Sequence, residues 1–274
     1  MKNIVVLFAV LLSVTACKNE VKETAAEAEV STETPEKNKT LASHPPKVKA
    51  IFDAHGGTEA WSKMNSLQFE IPKENGPEKH TVALSDRRSL IETNQWSIGY
   101  DGVDVWLLQQ EEEAYKGNAR FYHNLMFYFY AMPFVLADDG INYSPIPATE
   151  LEGKTYEGIK ISYNDGVGDA PKDEYIVYYD SETGLMTWLA YTVTYRTNEK
   201  SDNWRYIKYV EWQEVNGFIL PETLTWYKLE NGKPTEPRSS MKFENIQVLE
   251  SLPNPDQFLK PEGASISERP YISE

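Results

Sequence analysis

The sequence predicts a mainly β (α+β) domain in which a curled antiparallel sheet packs against one strongly apolar helical segment. Three observations carry this reading. Runs of alternating apolar and polar residues recur between residues 67 and 248, the period-2 signature of half-buried strands. Turn sequences separate the later runs with no helix between them, so neighbouring strands pair antiparallel and not through βαβ units. One stretch, Leu125 to Ala137, is free of charge in a chain where 25% of residues are charged.

The chain opens with Lys2, an apolar run from Ile4 to Leu12 and small residues ending at Ala16. That is the pattern of a secretory signal peptide over residues 1–16, too short for a membrane span. It ends at the only cysteine, Cys17. Leu12-Ser13-Val14-Thr15-Ala16-Cys17 resembles a bacterial lipobox, which implies diacylation of Cys17 and a membrane anchor at that residue. The alternative is an ordinary signal peptide beside a free thiol. A single cysteine permits no internal disulfide framework. Residues 17–44 read as the lipidated cysteine and a disordered linker, since Lys18 to Ser43 has mixed charges, no aromatic residue and little apolar surface to offset ordering entropy. Residues 45–274 read as a single domain. The net charge is −15, and loss of residues 1–16 removes Lys2 alone, giving −16. So acidic a chain lacks the basic footprint that nucleic acid requires.

Val48, Ile51 and Phe52 predict a short helix closed by Gly56-Gly57, after which Thr58 is placed to cap a turn carrying Trp61 and Met64. Leu67, Phe69 and Ile71 alternate with Gln68 and Glu70; His80, Val82 and Leu84 repeat the pattern, as do Val103, Val105 and Leu107 after the Asp101-Gly102 turn. Further strands are expected at 159–163, 175–179, 185–195, 204–212, 220–229 and 241–248. Asp180 to Gly184, Asn216-Gly217 and Asn231-Gly232 supply the turns. Around residue 188 the expected strand is apolar on both faces: Leu189, Tyr191 and Val193 on one, Met186, Trp188 and Ala190 on the other. A face open to water would be polar, so both faces must be covered.

At helical spacing Phe121, Leu125, Phe129 and Met132 share one face, with Tyr122, Met126 and Tyr130 beside it. Pro133 kinks or breaks the helix, and Asp138-Asp139-Gly140 ends it. The charge-free run is 13 residues, short of the ~20 that span a bilayer. It is either a buried core helix or a lid over an apolar cavity.

No catalytic constellation emerges, and neither a metal nor a cofactor is expected. The histidines are His44, His55, His80 and His123. His55 and Glu59 are four apart, but Gly56-Gly57 interrupts the helix that would align them as ligands. Asn164 to Asp169 is acidic and glycine-rich without the spacing of a calcium loop, and Glu111-Glu112-Glu113 reads as a solvated turn. The informative excess is aromatic, 17 Tyr and 7 Trp. Strand preference explains part of it; the remainder points to an amphipathic lining. Its candidate residues are Trp96, Trp106, Phe121, Leu125, Phe129, Met132, Trp188, Trp212 and Trp226.

Ala54-His55-Gly56-Gly57 with Trp61, then Tyr100-Asp101-Gly102 with Trp106, resembles the opening of LolA-like lipoprotein-sorting proteins. Tyr178 to Leu185 resembles that group's Asp-x-x-Thr-Gly hairpin, and Asn216 to Pro221 its Asn-Gly-x-x-x-Pro turn. Phe243 to Ile246, followed by Pro255, Phe258 and Pro261, is similar to its closing strand and tail. These motifs span residues 46–263, and the chain also resembles an uncharacterised branch of lipid-anchored bacterial proteins with that group's architecture. The resemblance implies an unclosed antiparallel β-barrel with a helical lid over an apolar cavity. The chain departs from the sorting factors in its own lipid anchor and in a lid that is aromatic and continuous. The expectation is therefore a monomeric, non-enzymatic lipoprotein, anchored through Cys17 in a Gram-negative envelope at the outer membrane, that holds an acyl chain or another apolar small molecule. The alternatives are an envelope hydrolase acting through unidentified Asp or Glu residues, and a structural or glycan-contacting surface lipoprotein.

Overall fold

The structure is a computed structural model that describes residues 44–164, 168–252 and 254–269. The signal sequence, Cys17 and the linker as far as Ser43 lie outside the described residues. Strands β1 (Ser66–Ile71), β2 (Glu78–Ala83), β3 (Ser89–Glu92), β4 (Trp96–Tyr100) and β5 (Val105–Gln109) form an antiparallel meander. The second meander comprises β6 (Ile141–Leu151), β7 (Lys154–Tyr163), β8 (Tyr175–Tyr179), β9 (Met186–Tyr191), β10 (Arg205–Val215), β11 (Phe218–Glu230) and β12 (Lys233–Lys242). The chain then returns to the first sheet, where β13 (Glu244–Leu249) pairs with β1 and β14 (Ser265–Ile266) with β5. Two seven-stranded sheets result, ordered β13-β1-β2-β3-β4-β5-β14 and β12-β11-β10-β9-β8-β7-β6.

Phe243 is the corner between them. β12 stops at Lys242 on one sheet's edge and β13 starts at Glu244 on the other's, while Phe243 is buried and donates its N–H to the Glu222 carbonyl at 2.9 Å. At the far ends β6 and β14 are not paired with each other. The architecture is mainly β, antiparallel and unclosed, as expected from the sequence. The turns expected at Asn216-Gly217 and Asn231-Gly232 have φ of 52° and 83°, and 51° and 77°. Positive φ at both central residues is the geometry that joins right-twisted strands through two residues.

The strand positions differ from expectation at the edges of the second sheet and in the first sheet's interior, where the short strands β3 and β4 were not expected. β6 carries Pro145 and Pro147 and β12 carries Pro234 and Pro237; both strands border the second sheet and are largely exposed. Proline withholds a ladder donor, which an edge tolerates, and an exposed strand shows no apolar alternation. At the amino end, α1 (Pro46–Ala54) buries Val48, Ile51 and Phe52. The short α2 (Thr58–Trp61) begins one residue earlier than expected: Gly57 occupies the cap position and Thr58 lies inside the helix, with no side-chain cap bond.

The apolar segment is not continuous. It divides into α3 (Ala119–Tyr122), α4 (Leu125–Tyr130) and a 3-10 turn at Phe134–Ala137. Asn118 caps α3 by accepting the Phe121 N–H at 2.8 Å. Asn124 then leaves helical geometry at φ −125° and ψ 0°. Pro133 has no N–H to extend α4. The broken chain lies in the main core with residues of both sheets. Trp61 stacks on Phe134 at 4.2 Å, Tyr130 packs on Phe243 at 4.5 Å and Phe129 on Tyr191 at 4.9 Å. Tyr209 ties the segment to β10 by donating its hydroxyl to the Phe129 carbonyl at 2.6 Å. The outer faces are covered as well. Ala83, Leu90 and Trp106 lie beneath Phe258, whereas Tyr178, Trp188, Tyr206 and Tyr227 cover one another, with the Lys208 ammonium 5.2 Å from the Trp188 ring.

Tyr130 is fully buried and its hydroxyl has no hydrogen-bond partner among the described residues. An unmet buried hydroxyl costs about 1–3 kcal/mol. Tyr130→Phe is therefore expected to leave stability unchanged or raise it by about 1 kcal/mol, read as the urea midpoint; a loss would show that the hydroxyl has a partner.

Candidate functional site

Between α3–α4 and the second sheet lies a cavity of about 110 Å³. It is built from residues that strand alternation and two loops bring to one place. Ile159, Ile161 and Tyr163 alternate along β7, and Tyr175 and Val177 along β8, so both tyrosines lie on the face packed against the main core. Their rings meet edge to face at 6.0 Å. Phe121 projects from α3 onto Tyr195 with centroids 5.1 Å apart, while Leu125 and Tyr128 of α4 close the space from above.

The polar wall has two carboxylates in unlike surroundings. Asp169 accepts from Arg120 Nε and Nη2 at 2.9 and 3.1 Å, and Arg269 Nη2 approaches the same carboxylate at 2.6 Å. Asp173 accepts from the Thr194 N–H at 2.6 Å and the Thr194 hydroxyl at 2.7 Å. Burial raises the Asp173 carboxyl in spite of those bonds. Burial likewise pushes the Tyr128, Tyr163 and Tyr175 phenols up, and the Tyr163 hydroxyl has no partner among the described residues.

Of the nine candidate lining residues, the structure brings Phe121 and Leu125 to this cavity. Phe129 and Met132 are buried in the main core, and Trp212 and Trp226 are half-buried against it. Trp212 stands edge-on to His55 at 4.6 Å, and Trp226 Nε1 donates to the Tyr191 hydroxyl at 3.1 Å. Trp188 lies on the opposite face of the second sheet, one residue out of phase with Leu189. Trp106 is on the outer face of the first sheet, donating Nε1–H to the Phe258 carbonyl at 2.8 Å, and Trp96 packs on Tyr115 at 4.7 Å. Sequence reasoning did not single out Arg120, Asp173, Tyr163 or Tyr175, and reached Asp169 only as the end of a stretch without calcium-loop spacing. A signal was present: Tyr163 and Tyr175 continue the inward period of their strands and flank the acidic stretch 164–173. Residues 165–167 of that stretch lie outside the described residues, and no cluster of three metal-ligating side chains occurs among the described ones.

The histidines are placed elsewhere. His55 donates Nδ1–H to the Ile219 carbonyl at 2.9 Å and accepts the Met186 N–H at Nε2, 3.2 Å away. It thus pins the α1 end to β9 and β11. A Cβ on Gly56 would lie 2.5 Å from the Gly217 carbonyl oxygen and one on Gly184 3.0 Å from the Ala54 Cβ. The glycine motifs at 56, 184 and 217 therefore meet at one corner for packing reasons. His123 sits behind Arg120, its Nδ1 2.6 Å from the Arg120 carbonyl oxygen. His80 stacks on Phe69 at 4.5 Å, with Nε2 3.7 Å from Glu78, whose carboxylate accepts the Tyr122 hydroxyl at 2.7 Å.

Among solved structures, the chain is similar to a LolA superfamily protein from Nitrosomonas europaea, with 10% identity over 78% of this chain and 97% of that one, at a TM-score of 0.44. It is also similar to a DUF1329 family protein from Desulfovibrio piger, with 12% identity over 74% and 93%, at a TM-score of 0.43. No curated protein matches it. A family of unknown function, DUF6503, matches residues 103–239, half of the chain, from the turn before β5 through the cavity walls to β12. The chain belongs to the DUF6503 family.

Proposed function

We propose that the protein is a lipid-anchored, non-enzymatic envelope protein of a Gram-negative bacterium that binds the apolar part of an amphiphile beneath α3 and α4. The observation that carries this reading is the cavity of about 110 Å³ walled by Phe121, Leu125, Tyr128, Tyr163, Tyr175 and Tyr195. It is smaller than the ~150 Å³ cavity that accommodates benzene, so a longer chain enters only as Phe121 and Leu125 swing outward. Each methylene removed from water contributes about 0.8 kcal/mol. Acylated Cys17 would hold the domain at the outer membrane as a monomer with this mouth available.

A glycoside hydrolase needs two carboxylates free to act across a cleft, and Asp169 and Asp173 both reach this one. Both Asp169 oxygens are engaged by guanidinium groups, however, which favours binding over catalysis. Sugar stacking needs open aromatic faces, whereas Trp61, Trp106 and Trp188 are buried.

The test is fluorescence titration with an uncharged naphthylamine dye, together with native mass spectrometry of gently purified protein. Saturable binding by the wild type is expected. Leu125→Trp, which fills the cavity, should weaken it at least tenfold, about 1.4 kcal/mol, with the urea midpoint unchanged. No dye binding and no co-purifying amphiphile would refute the reading. The anchor is tested separately: labelled palmitate should enter the wild type and not Cys17→Ser, and a wild type that takes up no label has no lipid anchor.

A further inference from the structure

We infer that the polar wall of the cavity, at Asp173 and Tyr163, receives an organic ammonium group, the head of a cationic amphiphile whose chain lies along Phe121, Leu125 and Tyr128. The inference rests on the binding reading above and adds the chemistry of the ligand's polar end. Five aromatic rings, those of Phe121, Tyr128, Tyr163, Tyr175 and Tyr195, surround the space. Aromatic faces carry a negative quadrupole that attracts ammonium groups, most strongly when water is excluded.

The charges fit the same occupant. Arg120 is the cation in the wall, and its bidentate pairing with Asp169, together with the Arg269 contact, spends that charge within the wall. Asp173 is in no ion pair among the described residues. It is held by the Thr194 amide and hydroxyl, and Arg205 acts on it only from a longer distance. A desolvated carboxylate without a close counter-ion is costly, and a bound ammonium supplies one. The orphaned Tyr163 hydroxyl adds an acceptor for an N–H donor. An anionic head would instead face two carboxylates with both guanidinium groups already engaged. The net charge of −15 adds a long-range attraction for cations, reduced by salt.

The experiment is calorimetric titration of the wild-type protein at physiological salt with four amphiphiles of one chain length, each below its micelle concentration: dodecylamine, dodecyltrimethylammonium, dodecyl maltoside and laurate. One saturable site is expected, with both cations at least tenfold tighter than laurate. Asp173→Asn should lower cation affinity to that of the maltoside and leave the maltoside unaffected. Tyr163→Phe should weaken dodecylamine and not the trimethylammonium compound, which has no N–H to donate. Laurate binding as tightly as the cations overturns the ammonium inference and leaves the apolar-chain reading standing. Absence of binding by all four overturns both. The wild-type series decides the matter even if Asp173→Asn fails to fold.

Discussion

Replacing Phe129 by alanine is expected to cost about 3–5 kcal/mol of stability, because the lost transfer energy and the cavity left behind add together. Phe129 is 3% exposed, packed on Tyr191 at 4.9 Å and edge-on to Trp226 at 6.0 Å, and its carbonyl holds the buried Tyr209 hydroxyl. Leu125, one turn earlier on the same helical face, is half-buried and borders the cavity. Leu125→Ala should cost well under half as much. The apolar segment is thus two things in sequence, a wall of the cavity at its amino end and the centre of the core at its carboxyl end. Urea midpoints of the two variants test this directly. Equal losses would place Leu125 in the core as well and remove the cavity's movable wall. A small loss at Phe129 would mean that the interior is hollow there and larger than the structure shows.

That division explains what was legible in the sequence. Strands such as β1 and β7 were, because inward residues such as Leu67, Phe69 and Ile71, or Ile159 and Ile161, have to alternate with residues on the other face; β3 and β4, four and five residues long, were not. The two hairpins at Asn216-Gly217 and Asn231-Gly232 were, because few residue pairs accept positive φ twice. β6 and β12 were not, since an edge strand faces water and tolerates proline. The aromatic excess was visible but its destination was not. Trp188 and Leu189 are adjacent in sequence and sit on opposite faces of one sheet, and composition carries no information about which face looks inward. The site itself depends on pairings between distant residues. Arg120 and Asp169 are 49 residues apart and Asp173 and Thr194 are 21 apart, separations at which one sequence offers no periodicity to read.

Stability should fall steeply as the pH is lowered from 7.5 to 5, and the buried histidines are the cause. Burial lowers His55 and His123 from a usual value of 6.5 to about 4, and lowers His80 as well, against an opposing pull from Glu78. A histidine whose folded value is depressed binds its proton more readily in the unfolded chain. Protons therefore favour unfolding between about 6.5 and 4, and stability rises with pH across that window. By pH 5 His55 and His123 would each contribute a loss of about 2 kcal/mol, roughly 4 for the pair. Asp173, raised by burial, works in the opposite sense as it takes up its proton, and Asp180, lowered to about 2 by Lys154 and turn amides, acts below this window. The cost is structural in each case. A proton on His55 Nε2 removes the acceptor of the Met186 N–H, and one on His123 places a cation behind the Arg120 guanidinium. Urea unfolding followed by tryptophan fluorescence at pH 7.5 and 5 measures the effect, and equal midpoints at the two values would show that these imidazoles are already open to solvent.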